Sequence, residues 1–307
     1  MKPQPQPFRA TSDRSRTLIL SVALVLLRLF QQWMPAEDVT SLRVVTFNLH
    51  CRNPHYDQIL EALKAVDADV LFLQETTVES ERFLAGQLNA SYPYFYATGH
   101  LGRFTEEGLA FASKIPLRDV TFSPPDKGFF GFFSATCRVG ETSVKLINVH
   151  LTPFVIRHES GIMRVLAEIQ RTEDSHAAEI DAVSKKFNVE QPVIVAGDFN
   201  SLSTFVAPST LTKMGLVDSF AATNPYPDAH PTWKGIVDFA VLQLRLDYIF
   251  HTHRFQTVKS EVIEHGGSDH FSVVSNLKLL EQGAAANANR RSSTVTNPTP
   301  HETGPGR

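Results

Sequence analysis

The sequence predicts an α/β fold, and two stretches carry that prediction. In the first, Arg43-Val-Val-Thr-Phe-Asn-Leu49 and Asp69-Val-Leu-Phe-Leu-Gln-Glu75 flank a helical pattern over Tyr56–Val66, giving strand, helix, strand. The second is Val193-Ile-Val-Ala-Gly-Asp-Phe-Asn-Ser201, a β-branched run typical of a strand buried on both faces. Both end abruptly in polar residues. Crevices at the carboxyl ends of such strands are where α/β proteins commonly present chemistry. Asp198 and Asn200, two apart on extended chain, point to one side. Asp198 can accept a proton or face a metal ion, and Asn200 can donate and accept hydrogen bonds beside it. The competing reading is a plain turn, because Gly, Asp and Asn favour turns.

Bulk properties bound the rest. A chain of 307 residues, 42% of them hydrophobic, can bury a sizeable core in one large domain or two small ones. A formal charge of −3 gives no overall basic footprint, so a nucleic-acid surface would have to be local. Cys51 and Cys137 make neither a disulfide framework nor a zinc-ligand cluster. They read as small buried side chains, with a single disulfide between them left open.

Residues 1–16 are rich in Pro and Gln, with Lys2, Arg9, Arg14 and Arg16, and no fold is expected there. Residues 17–34 hold the apolar run Leu18–Leu27, then Arg28, Leu29 and Phe30, and read as a signal or anchor segment. The uninterrupted run is shorter than the roughly 20 residues a bilayer takes. Charge placement would keep the N-terminus in the cytoplasm and put the main domain outside it, membrane-anchored or secreted. The alternative is an amphipathic or buried helix of the domain.

The folded domain is expected over 42–280. After the first strand–helix–strand unit come a helix at Val78–Leu88 and short strands at Tyr92–Ala97, Gly108–Ser113, Val120–Phe122 and Phe132–Val139. Ser143–His150 is a strand ending in Asn148 and His150, followed by an unusually apolar loop, Leu151–Ile156. A helical pattern runs from Glu159 to Phe187 and another near Ala207–Met214. A Pro-rich stretch, Asn224–Thr232, precedes strands at Arg245–Phe250 and Phe255–Ile263. The turn Gly266–His270 then enters the strand Phe271–Leu277. Residues 281–307 lack any apolar pattern and are expected to be disordered.

Asn48, Glu75, His150, Asp198, Asn200, Asp247, Asp269 and His270 all sit at strand ends or turns after apolar runs. Carboxylates and amides suit a hard, oxygen-seeking cation such as Mg²⁺. Histidine pairs suit proton transfer and the neutralising of a phosphate. No cysteine–histidine cluster points to structural zinc.

Six motifs made by these residues resemble, in order, those of the endonuclease/exonuclease/phosphatase superfamily, the metal-dependent phosphoesterases related to deoxyribonuclease I. They are Thr46-Phe-Asn48, Leu73-Gln-Glu75, Asn148-Val-His150-Leu, Gly197-Asp198-Phe-Asn200, Arg245-Leu-Asp247-Tyr-Ile-Phe and Ser268-Asp269-His270. Six in order are specific where one is weak, and they displace the turn reading of Asp198. The resemblance implies a four-layer α/β sandwich of two packed, mostly antiparallel sheets flanked by helices. It also implies roles: Glu75 as main metal ligand with Asn48 beside it, and Asp269 as a further metal-side carboxylate. Asp198 would orient or deprotonate the attacking water, and Asn200 would hold a phosphate oxygen. His270, oriented by Asp247, would contact the phosphate or move a proton, with His150 as second histidine. The implied cofactor is Mg²⁺, with Mn²⁺ as the alternative. Histidine at 150 is similar to the deoxyribonuclease, sphingomyelinase and inositol-phosphatase branches; abasic-site endonucleases usually carry an acid there. Gly108-Leu-Ala-Phe-Ala-Ser-Lys-Ile-Pro116 resembles a further family segment, with Lys114 for its Arg. The phosphate-binding residue some branches carry just before it has no clear match, and His100 or Arg103 are the substitutes.

Two candidate substrate classes follow, lipid phosphoester and nucleic acid. Gly128-Phe-Phe-Gly-Phe-Phe133 and Thr152-Pro-Phe-Val-Ile156 would suit an apolar rim beside the phosphate, unless the phenylalanines simply fill the core. The basic set for DNA, Arg103, Arg157, His158 and Arg164, is thin. A non-catalytic binding module on the same fold is the alternative from another class. Residues 17–34 point to a membrane, and no stretch points to a protein partner.

Overall fold

The first strand–helix–strand unit forms as its periodicity predicts. The computed structural model describes residues 40–281 apart from 100–103, 105, 155–161 and 238–239. Strand β1 (Ser41–Asn48) lies parallel to β2 (Val70–Thr76), joined through helix α1 (Tyr56–Val66). Helix α1 buries Ile59, Ala62, Leu63 and Val66, the one-faced spacing of an amphipathic helix, and ends at Asp67 in the left-handed region. Helix α2 (Val78–Leu88) starts on a reciprocal cap in which Thr77 and Ser80 each accept the other's backbone N–H.

These elements join β3 (Tyr94–Ala97), β4 (Gly108–Ser113), β13 (Phe255–Ile263) and β14 (Ser272–Leu279) in a sheet of order β13-β14-β1-β2-β4-β3. A second sheet holds β5 (Arg118–Ser123), β6 (Phe132–Val139), β7 (Thr142–His150), β8 (Val193–Asp198), β9 (Val217–Asp218) and β12 (Asp247–His251). Its order is β5-β6-β7-β8-β12-β9. Each six-stranded sheet is antiparallel except for one pair, β1/β2 in the first and β7/β8 in the second. The second crossover carries helix α3 (Ile162–Ser184), and α4 (Val206–Lys213) follows β8.

Alternation along the strands separates the layers. Val44, Phe72, Phe111, Leu146, Ile194 and Ile249 meet in one core drawn from both sheets. Their neighbours Val45, Phe47 and Leu71 face Leu63 of α1 and Leu84 of α2. Val193 and Val195 face Ile180 of α3 and Leu211 of α4. Helices, sheet, sheet, helices is the expected sandwich.

One element departs from expectation. Strands β10 (Trp233–Val237) and β11 (Ala240–Leu244) pair as a separate hairpin. Gly235 and adjacent apolar pairs break the period-two alternation there. Residues 1–16, the apolar segment 17–34 and the tail from 282 lie outside the described residues. Among the described residues no helix is long and apolar enough to cross a membrane.

Candidate active site

The two parallel pairs end side by side and deliver the polar residues. Asn48 and Glu75 come from β1 and β2, His150 and Asp198 from β7 and β8. The register sets Asp198 opposite His150 on one side and Asp247 on the other. The Asn48 side-chain amide joins the sheets, donating to Glu75 Oε1 and Asp198 Oδ2, both at 3.0 Å. Its Oδ1 accepts the His50 N–H at 2.9 Å. Gly197 is required beneath Asp198: a Cβ there would lie 1.9 Å from the Val149 carbonyl oxygen. Three non-glycine residues at the site take positive φ, His50 (57°), Glu75 (53°) and Asn200 (46°). Such backbone persists where neighbours over-determine it. Glu75 is so held, with Oε2 accepting the Cys51 N–H at 2.9 Å.

Two histidines face Asp198 Oδ2, each presenting Nε2 at 3.6 Å. His270 Nδ1 donates to Asp247 Oδ2 at 2.9 Å. Thr232 Oγ1 steadies this aspartate by accepting the Leu246 and Asp247 N–H groups. Burial opposes charge on His270, but the Asp247 and Asp198 carboxylates outweigh it and push the imidazole up to about 10. His150 Nδ1 faces the Glu106 carbonyl oxygen at 3.2 Å, an atom that only accepts, so Nδ1 carries the proton. The Phe130 ring stacks on His150, centroids 4.2 Å apart. Burial alone would raise Glu75, yet His150, the Cys51 N–H and the Asn48 amide together hold its carboxyl below the ordinary range. Asp198 Oδ1 accepts the Asn200 N–H at 2.8 Å, and the Asn200 amide donates to Leu151 O at 3.0 Å. Asp269 receives His50 Nδ1 at 3.0 Å and Trp233 Nε1 at 3.1 Å.

Glu75, His150, Asp198, Asn200, Asp269 and His270 line one cavity of about 690 Å³. Asn48 and Asp247, expected as metal-side and orienting residues, sit behind that lining and hold its members in place. The donor set fits a hard divalent cation: Glu75 is a carboxylate held ionised, and Asp269 is a second oxygen donor on the wall. Atoms of Asp198, Asp247 and His270 also come within 4.8 Å of one another. That trio is the poorer cation site, because an imidazole holding protons on both nitrogens has no lone pair to offer.

His50 was legible as a polar residue delivered with Asn48 at the end of the first strand, though its partner Asp269 was not. Two contributors carried no readable signal. Trp233 lies on the unforeseen hairpin, and Thr232 closes a Pro-rich stretch. The phenylalanine cluster proves to be both things considered for it: Phe132 and Phe133 are core, while Phe129 and Phe130 line the cavity. Pro153 and Phe154 line it too, whereas Val155 and Ile156 lie outside the described residues. So do His100, Arg103, Arg157 and His158. Arg164 is exposed on α3, and Lys114 pairs with Asp67 Oδ1 at 2.6 Å, away from the cavity lining. Arg245 is buried against Asp218 and Asp228 and stacks over Tyr248, a structural place. Cys137 is buried and Cys51 half-buried at the cavity, both free thiols.

The model of the Endonuclease/Exonuclease/phosphatase family matches residues 45–270. An endonuclease/exonuclease/phosphatase from Beutenbergia cavernae superposes with a TM-score of 0.62 at 22% identity, covering 78% of this chain and 72% of that one. A Leptotrichia buccalis family protein gives 0.58 at 17%, covering 78% and 100%. D. rerio TDP2, solved with a single strand DNA product, gives 0.60 at 15%, covering 78% and 99%. A comparison with curated protein sequences found no match. At these identities the solved structures share the fold alone. The sequence match spans all six motifs, and the chain therefore belongs to the endonuclease/exonuclease/phosphatase family, whose members are generally phosphoester hydrolases.

Proposed function

We propose that this chain is a divalent-metal-dependent phosphoester hydrolase. One observation carries the reading: Glu75, tied to Asp198 through the Asn48 amide, and two histidines gather around Asp198 in a single cavity. Glu75 and Asp269 would hold the cation, Mg²⁺ by donor chemistry with Mn²⁺ as alternative. Such an ion, when bound, offsets the negative charge of the phosphoryl oxygens.

The chain's own residues do the remaining work. Asp198, fixed by Asn48 and the Asn200 N–H, takes a proton from the attacking water. His270 presents Nε2–H toward a phosphoryl oxygen because Asp247 anchors its other nitrogen. His150 faces the same point from β7, its ring fixed by Phe130 and Glu106 O. Asn200 contributes a carboxamide to the cavity wall for a phosphate oxygen.

Hydrolysis of bis-p-nitrophenyl phosphate, with and without chelator, tests the reading. Activity is expected to vanish with chelator and return with Mg²⁺. Glu75→Ala and His270→Ala are each expected to lower turnover by more than about a hundredfold. A folded variant with unchanged turnover would refute the role given to that residue. A chain that hydrolyses no phosphoester would instead be a binding module on this fold.

A nuclease is the second reading, favoured by the DNA product bound to the D. rerio TDP2 structure. Residues 17–34 are proposed to anchor the chain with its domain outside the cytoplasm, or to direct secretion. Full-length protein found free in the cytosol on fractionation would end that proposal.

A further inference from the structure

The cavity that ends in this polar floor has an apolar wall. Phe104, Phe129 and Phe130 pack against one another on one side, with centroids 5.1 to 5.9 Å apart. Phe154 and Phe205 form a second group, and hairpin β10–β11 adds Leu242 and Leu244. Beyond the floor, where His270 and the proposed cation meet one phosphate, the lining offers few cations to a polyanion. Glu75, Glu106, Asp198 and Asp269 supply four carboxylates, whereas among the described residues Arg52 is the one lining guanidinium or ammonium. Extended nucleic acid binds through many such cations.

The apolar surface continues outward. Nine large apolar side chains are exposed among the described residues, and three of them, Val78, Tyr226 and Val258, lie elsewhere. Of the other six, Phe104 and Leu242 line the cavity and four sit on elements that supply lining residues; Ile236 and Val241, paired across the hairpin, alternate with Leu242 and Leu244 and stand on its other face. Phe104 precedes β4; Ile236, Val241 and Leu242 are on the hairpin; Met163 and Leu166 are on α3, whose Ile169 lines the cavity. Ile236 is 78% exposed and Met163 75%. The same chain carries the apolar run Leu18–Leu27.

We infer that the phosphoester cleaved here carries an apolar group and is taken from a lipid layer. Its chain lies along the phenylalanine wall, its phosphate meets the floor, and the rim of hairpin and α3 rests on the lipid. This rests on the hydrolase reading above. The water oxygen bonds to phosphorus as the ester P–O bond breaks. The departing oxygen takes the Nε2 proton of His270 and leaves as an alcohol, and the proton that Asp198 took from water then restores His270, 3.6 Å from that carboxylate. Water is consumed, and one alcohol and one phosphate product form.

The test uses the full chain and a soluble reporter. Hydrolysis of bis-p-nitrophenyl phosphate is inhibited with n-alkyl phosphates from methyl to octyl, each below its micelle concentration. A methylene fully buried on the wall is worth about fourfold in affinity, so the inhibition constant is expected to fall at least about tenfold from butyl to octyl. Leu242→Ser and Phe104→Ser, both at exposed positions, are expected to flatten that dependence. In a second arm, a glycerophospholipid in vesicles is expected to be turned over faster than short single-stranded DNA at equal phosphate. Ile236→Glu or Val241→Glu is expected to lower the ratio of vesicle to soluble turnover. Inhibition independent of chain length, or DNA as the faster substrate, overturns the inference while leaving the hydrolase reading standing. No hydrolysis of the soluble reporter would sink the hydrolase reading itself.

Discussion

Glu179→Gln isolates a clamp that shapes the cavity without touching the phosphate. Glu179 is a buried side chain of α3 that accepts the Thr152 hydroxyl at 2.8 Å and the Thr152 N–H at 3.2 Å, as well as the Phe129 N–H. It therefore ties down both the loop after His150 and the aromatic loop of the cavity wall. Burial raises its carboxyl from 4.5 to about 7, against the pull of those donors. The folded value lies above the unfolded one, so the native state binds the proton more tightly. The resulting stability is fully present below pH 4.5 and is lost as pH rises through about 7. The interval corresponds to roughly 3 kcal/mol. Glutamine imitates the protonated acid at every pH. The difference in unfolding free energy between variant and parent, from urea melts, is expected to shift by roughly 3 kcal/mol between pH 4.5 and 8, in favour of the variant at high pH. Subtraction removes every other titrating group. A difference that stays flat with pH would show that Glu179 is ionised in the native state throughout and that the clamp is an ordinary carboxylate.

Asn48→Ala removes the amide shared by Glu75 and Asp198 and leaves two carboxylates facing one another; activity or apparent metal affinity is expected to fall about 10- to 100-fold, read from turnover against Mg²⁺ concentration. Unchanged values would make Asn48 mere packing. Gly197→Ala forces a methyl against Val149 O one pair before the end of the β7/β8 ladder, and a loss of more than about 3 kcal/mol in urea unfolding is expected. A variant as stable as the parent would mean the strands shift apart more easily than their register suggests.

The parts of this molecule that were legible from sequence are those set by local chemistry. Helix α2 and strands β4 and β6 fall at the expected residues, because a helical stretch such as Val78–Leu88 or a run such as Phe132–Val139 needs no distant partner to be read. The eight candidate residues were legible because they stand at strand ends or in turns after apolar runs, and six of them line one cavity. Long-range support was not. Thr232 and Trp233 act on partners 15 and 36 residues away, and their types are unremarkable where they stand; His50 could be read at a strand end, but not its partner Asp269, 219 residues on. The hairpin β10–β11 was missed for a related reason. Its apolar residues face a cavity and solvent rather than a core, so they lack the alternation that burial on one face imposes.

Catalytic geometry here depends on how one sheet is seated on the other, and a buried amide pair sets that seating. Gln74 of β2 donates from Nε2 to Asn148 Oδ1 at 2.7 Å, and Asn148 of β7 donates to the Leu73 and Ala110 carbonyl oxygens of the first sheet. Both side chains are fully buried. Gln74 is one residue before Glu75, and Asn148 is two before His150, so the pair holds the strand ends whose side chains approach to 3.9 Å. Polar groups in a core are no source of net stability when leucines of similar volume can replace them, but they discriminate between alternative seatings of the sheets. Asn148→Leu leaves Gln74 bonded to Thr46 and the Phe72 carbonyl but takes a donor from the buried Leu73 and Ala110 carbonyl oxygens, and is expected to destabilise by about 1–3 kcal/mol. Gln74→Leu with Asn148→Leu is expected to stay folded with a loss still of about 1–3 kcal/mol, yet to hydrolyse phosphoester at least about tenfold more slowly, because a 1 Å misplacement of reacting groups is that expensive. Full activity in a stable double variant would locate the seating of the sheets elsewhere, in the apolar core around Phe72 and Leu146, and leave the amide pair without a part in catalysis.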